Sequence, residues 1–356
     1  MENPEIESEK NVIINRFRFF LEVLIVFFGI FLFLLIPRLF LSFFLDEASL
    51  LYGYLYYILR AISILLAIPI FLYLSNFLIE PNDQHLVEEK EIYSVKTYLN
   101  LFSIPKRDFK EQFKHGILLT FIIFIPLDFL VYFLIPEMLE YSGRALTSST
   151  LNRYLLESYF IFLFSVILIQ ICVSIYEETL SRGFLTSRGN EYFHKMSAVI
   201  IPSLYFGLMH FAYYLNPISR NYPIWFPFIW FLQTFLVAII LSIYILKKKK
   251  LFPVIFAHAV NNIISAHAIW NYLQGNDFMV ITIYLYIPLL VGSLFVLAWQ
   301  FSKIKNGISL VIEEIKTYFL QDKDIKNGES KVMLRIIFDV IITCLILIIG
   351  LFIFGI

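Results

Sequence analysis

Three polar clusters interrupt a long apolar sequence, and their residue types suit hydrolytic chemistry. The first is Glu177-Glu178-x-x-x-Arg182, which closes the apolar run from Tyr159 to Ile175 and so is expected at or just inside a membrane face. Unpaired ionisable groups at a bilayer centre cost about 2.5–3.5 kcal/mol each on insertion scales, so they are rare without a role. Helical geometry separates the two carboxylates. Glu178 and Arg182 are four residues apart, on one face, and can form an ion pair. Glu177 points about 100° away, with Leu180 and Ser181 rather than a cation at its own i+3 and i+4 positions. One carboxylate is committed to structure and its neighbour is free to react.

The second cluster is Phe206-x-x-x-His210, where the ring can lie against the imidazole and keep water from it. The third is His258-x-x-x-Asn262, two residues on one helix face that Ser265 continues. Asn261 is the second choice for the amide, and His267 projects to the opposite side. Taken singly, each cluster has a plainer reading, as a solvated helix end or a hydrogen-bonded packing histidine. Together they supply what peptide-bond hydrolysis needs. A carboxylate activates water, one histidine positions that water, and a second histidine with an amide stabilises an oxyanion. Glu177, His210 and His258 are also a donor set that zinc accepts, although the H-E-x-x-H spacing is absent.

The elements that must hold these residues are membrane helices. The 356 residues are 59% hydrophobic and 18% aromatic, and the mean hydropathy is +0.77, values of a polytopic membrane protein. With 28 basic and 28 acidic residues, no global field favours nucleic acid. Cys172 and Cys344 both lie in apolar runs, so no disulfide framework is expected. The apolar run after the polar stretch Met1 to Lys10 is too long for a signal-peptide core and is read as a retained first span. Nine runs are long enough to cross a bilayer: 19–36, 50–78, 116–135, 154–176, 196–214, 224–246, 251–270, 279–300 and 334–356. Pro253, His258, Asn261, Asn262, Ser265 and His267 interrupt the seventh, which therefore belongs inside a bundle.

Lys and Arg orient the helices. With a cytoplasmic N-terminus, 23 of the 28 fall on inside segments, including Lys247 to Lys250, and only Arg38, Arg144, Arg153 and Arg220 fall outside. Glu88 to Glu91 and Val311 to Leu320, in the cytoplasmic segments 79–115 and 301–333, have the pattern of surface helices. The chain divides into an N-terminal three-helix membrane region (1–150), a catalytic core (151–275) and a C-terminal two-helix region (276–356). Richness in Ile, Phe, Lys and Asn favours a prokaryotic plasma membrane.

Two other function classes are open. A proton- or ion-coupled transporter could use Glu22, Arg60, Asp128 and the motif residues as a relay, but the repeat symmetry common in transporters is absent. A non-catalytic membrane scaffold is the other. Charges such as Glu22, Arg60 and Asp128 also have the simpler reading of facing a bundle interior or reaching an interface.

The three motifs in order, Glu177-Glu178-x-x-x-Arg182, Phe206-x-x-x-His210 and His258-x-x-x-Asn262, resemble those of the CPBP intramembrane proteases. That family includes type II CAAX prenyl endopeptidases and bacteriocin-processing or immunity proteins. The resemblance covers about residues 153–270 and extends to Arg182-Gly183-Phe184-Leu185 and to the Ser203–His210 context. It implies an all-α bundle with a conical, cytoplasm-facing cavity and a glutamate-activated water acting on a membrane-associated peptide or protein. Glu177 would be the base, His210 its water-positioning partner, and His258 with Asn262 the oxyanion site. Glu178 and Arg182 would hold the helix end. The resemblance leaves zinc open; the metal-free reading is preferred because Asn262 is a poor zinc ligand. No prenyl-binding signature accompanies the motifs. If the fifth span starts at Lys195, His210 lies about 22 Å along it. Either 183–194 dips into the membrane or that span begins in the cytoplasm.

Overall fold

The computed structural model describes residues 9–79, 95–193, 195–211, 222–319 and 328–354, which hold helices and no strand. Lipid offers backbone groups no partner, so continuous Leu, Ile and Phe runs close their hydrogen bonds internally. The long helices are α1 (Glu9–Phe44) and α2 (Leu50–Ile79), then α3 (Phe109–Leu134). The amphipathic α4 (Glu137–Thr147) follows, then α5 (Tyr159–Tyr192) and α6 (Lys195–Phe211). The chain continues through α7 (Trp225–Lys248) and α8 (Phe252–Leu273) to α9 (Phe278–Trp299). It ends with α10 (Phe301–Phe319) and α11 (Gly328–Phe354).

Among the described residues, eight helices are long and apolar enough to cross a membrane, against the nine expected. The difference is α6: its described part has 17 residues, and the expected span continues to residue 214, outside the described residues. The expected helix at 311–320 is the second half of α10, which exposes Ile308, Ile312, Ile315 and Phe319 as an interfacial helix does. The Glu88–Glu91 expectation lies outside the described residues.

The bundle assembles around α5, which packs on α2 and α8. α6 lies between α7 and α11, α1 covers α2 and α11, and α3 lies against α8. Three of the helices contain a π-helical turn. In α3 and α9 the wide turns Thr120–Phe124 and Thr282–Tyr286 stand just before a helical proline, where the missing N–H frees a carbonyl one turn back. The third, Thr179–Thr186 in α5, contains no proline. There the hydroxyls of Thr186 and Ser187 donate to the carbonyls of Ser181 (2.9 Å) and Arg182 (3.1 Å), five residues earlier.

Two buried polar knots pin the end of the bundle where α5 meets α6. Arg16 of α1 donates to Asp339 of α11 (2.8 Å) and Ser197 of α6 (3.1 Å). Arg188 of α5 donates to both oxygens of Glu22 in α1 (2.8 and 2.6 Å), and the Tyr192 hydroxyl donates to the same carboxylate (2.7 Å). The short helix at 95–100 is tied in beside them, with Tyr98 and Leu101 buried and the Leu251 N–H donating to the Leu101 carbonyl (2.9 Å).

Candidate active site

The adjacent glutamates stand near the middle of the 34-residue helix α5, not at its end. The helix end expected at Glu178 and Arg182 is therefore further along the chain. Helix continues after Glu178 because Thr179 to Arg188 are buried inside the bundle, where an unpaired backbone would be costly. The depth of His210 follows from the same fact. Glu177 precedes Phe193 by as many residues as His210 follows residue 194, so the antiparallel helices α5 and α6 bring them to one level.

Glu178 is fully buried. Its Oε1 lies 3.2 Å from Arg182 Nη1 and accepts a 2.6 Å bond from His258 Nδ1–H. The expected Glu178–Arg182 pair is therefore present, with His258 as a third member. The other ring nitrogen, Nε2, lies 3.7 Å from Oε2 of Glu177, whose side chain is 27% exposed to the cavity. One imidazole thus stands between two carboxylates that follow each other in the chain. The guanidinium of Arg182 stacks over the Phe206 ring at 4.2 Å, within range of cation–π attraction. Phe206 also meets the His210 ring (5.2 Å between centroids), so this ring steadies a cation and a histidine together. Gly207 lets α7 pack closely on α6: a Cβ there would meet Phe231 at 2.9 Å.

His210 Nδ1 bonds to the Phe206 carbonyl (2.9 Å), which sets the tautomer and leaves Nε2 as an acceptor. Asn262 donates to Gln170 (3.1 Å), whose own amide donates to the Tyr154 hydroxyl (3.0 Å). All four expected catalytic residues line one cavity of about 220 Å³, room for several waters at about 30 Å³ each. His267 is not among them; it packs between the rings of Tyr159 and Phe162. The cavity walls extend from Arg182 and Glu178 towards Ser142, Asn152 and Tyr154, at the end of the bundle that carries α4. The expected cytoplasmic opening does not follow from these walls, because the basic segment Lys247–Lys250 lies at the other end of α7.

Four polar residues around the site were outside the sequence-derived set or secondary in it. Gln170 is the first, seven residues before Glu177 and on its face. Its signal was a lone amide in an apolar run. Asp128 of α3 accepts from Gln233 of α7 (2.6 Å) and Ser265 of α8 (2.6 Å), which no local spacing connects. As for metal, no three His, Cys, Asp or Glu among the described residues are grouped closely enough to hold an ion. His258 Nδ1 is turned to Glu178 and His210 Nδ1 to a carbonyl, which leaves each Nε2 available to a ligand, as in zinc-bound histidines.

Residues 159–264 match the family described as Type II CAAX prenyl endopeptidase Rce1-like. No curated protein and no solved structure matches the chain significantly.

Proposed function

We propose, from the membership of this helical core in the CPBP intramembrane-protease family, that the chain cleaves a peptide bond of a membrane-associated substrate with a water activated by Glu177. The observation that carries the proposal is His258 held between Glu178 (2.6 Å) and Glu177 (3.7 Å) on the wall of one polar cavity. Glu177 is the one carboxylate of the pair with an exposed oxygen and no guanidinium on it, which suits a general base.

The steps use the side chains as they stand. Glu177 takes a proton from water as the water oxygen bonds the scissile carbonyl carbon. His210, fixed through Nδ1, accepts the second water hydrogen at Nε2 and aims the attacking lone pair. The carbonyl oxygen becomes an anion, met by N–H groups of Asn262 and of His258. His258 donates from Nε2 while its Nδ1 stays on Glu178. Collapse breaks the C–N bond, and Glu177 returns its proton to the leaving amine. Arg182 on Glu178 offsets one of the two adjacent carboxylate charges.

The assignment of residues 151–275 as the catalytic core, with a cytoplasmic N-terminus in a prokaryotic plasma membrane, belongs to the same proposal. The motif order and the Lys and Arg distribution support it. The test is terminal-peptide mass spectrometry on membranes containing wild type or Glu177→Ala. New termini in membrane proteins that vanish with the alanine variant are the expected result. Identical termini in both samples would retire the reading.

A further inference from the structure

Asp128 is a carboxylate in the same cavity that the mechanism leaves unused, and residues 159–264 do not include it. It is 3% exposed, on the turn of α3 that follows the π-helical segment ending at Phe124. The Phe124 ring stacks on His258 (centroids 6.1 Å apart, planes 19° apart), so α3 forms a wall of the reaction centre itself. Both oxygens of Asp128 are engaged, but by neutral donors: the Gln233 amide (2.6 Å) and the Ser265 hydroxyl (2.6 Å). Among the described residues, no Lys, Arg or His forms an ion pair with it. Of the other cavity carboxylates, Glu178 has Arg182 on it and Glu177 has His258 beside it. Asp128 is the cavity carboxylate with neither a guanidinium nor an imidazole paired to it.

A second observation points to the same missing group. Asn261 is 8% exposed and lines the cavity, and its Oδ1 is buried without a hydrogen-bond donor. Its side chain stands beside the Asp128 carboxylate. A carboxylate without a cation, beside a carbonyl oxygen without a donor, calls for a ligand that is positive and carries several N–H groups. Primary ammonium and guanidinium groups have that chemistry.

We propose that Asp128 and Asn261 Oδ1 form a substrate subsite for a basic group, the side chain of a lysine or arginine close to the scissile bond. Placement along α8 sets the distance. His258 and Ser265 lie two turns apart on one face, about 10 Å along the axis. An extended peptide advances about 3.3–3.6 Å per residue, so the basic residue falls within about three positions of the bond that is cut. The inference rests on the endopeptidase reading for its biological meaning, and its test is a binding measurement that needs no turnover.

The full-length Glu177→Gln protein in nanodiscs is titrated with fluorescent apolar peptides of about 20 residues, one membrane span in length. Each carries a single lysine, or norleucine in its place, at successive positions around the centre, with a free or acetylated N-terminus. At one position the lysine peptide is expected to bind about tenfold more tightly than its norleucine twin, the scale of one charge-assisted hydrogen bond. Adding Asp128→Asn should bring that ratio towards one. Asn261→Leu, which removes the unpaired acceptor and leaves the carboxylate, should lower it in part and serves if the first double variant does not fold. A preference that follows the free N-terminus rather than the lysine would assign the subsite to an α-ammonium and overturn the side-chain assignment. Equal binding of lysine and norleucine peptides at every position, or a ratio that survives Asp128→Asn, would overturn the subsite. Cleavage by wild type is scored separately: preference without cleavage sinks the protease reading alone, and cleavage without preference sinks the subsite alone.

Discussion

The sharpest expectation concerns the two adjacent glutamates, whose surroundings differ although their sequence positions do not. Glu178→Gln removes the charge that Arg182 Nη1 (3.2 Å) and His258 Nδ1 (2.6 Å) share. Arg182 is 1% exposed, so its guanidinium would keep only the Phe206 ring as a partner. Breaking a buried pair from one side costs about 3–5 kcal/mol. With an unfolding entropy of about 2.1 cal/mol/K per residue, a chain of this length would lose about 4–7 °C in Tm. Activity should fall as well, because His258 loses the acceptor that holds its ring. Glu177→Gln has a different signature. No guanidinium is paired with it and the nearest imidazole nitrogen is 3.7 Å away, so Tm should stay near wild type while the rate falls about 10²–10⁴-fold or more through loss of the base. The assay is a paired measurement of Tm and cleavage rate for both variants in one detergent. An active Glu177→Gln beside a fully stable, inert Glu178→Gln would show the roles to be reversed.

Gln170→Leu should lower kcat about tenfold, the scale of one lost hydrogen bond, by releasing Asn262, with KM little changed. Gln170→Glu, which keeps the acceptor, should recover part of the rate, and a change confined to KM would contradict the positioning role. Single-cysteine labelling should reach position 248 from the cytoplasm and positions 144 and 274 from outside; labelling of 248 from outside would reverse the orientation. Chelator should leave cleavage intact and elemental analysis should find no stoichiometric zinc. One equivalent of zinc, lost together with activity, would move Glu177, His210 and His258 into a ligand set.

What was legible in the sequence was whatever local geometry encodes. Apolar runs marked the spans, and the four-residue spacing from Glu178 to Arg182 marked an ion pair that the structure contains. The same spacing put Phe206 beside His210, and the nine-residue offset put His267 outside the cavity. The end of the helix was misjudged because hydropathy stops at Ile175 while the helix continues to Tyr192. Buried polar residues such as Thr179, Ser181, Thr186 and Ser187 look like a solvated helix end until their partners are known. The His258–Glu178 bond was also invisible. Residues 80 positions apart share no spacing rule, and a helical wheel that sends Glu177 and Glu178 in different directions does not say that one ring can stand between them.

The buried charges argue against a relay and for a fixed scaffold with one reactive exception. Glu22, which a transporter would need free to exchange protons, accepts three hydrogen bonds from Arg188 and Tyr192. Asp339 is likewise bonded by Arg16 and by the Tyr318 hydroxyl (2.8 Å). Each knot joins helices far apart in sequence, so each acts as a register pin that apolar packing alone would leave free to slide. A mobile proton pathway would require these groups to trade partners, at several kcal/mol for each buried charge left alone. Among the described carboxylates of the cavity, Glu177 alone combines partial exposure, a neighbouring imidazole and the absence of a guanidinium on it. A rigid set of pins around one unpinned carboxylate suits a catalyst that must hold water and a strained carbonyl in place, and it suits a carrier poorly.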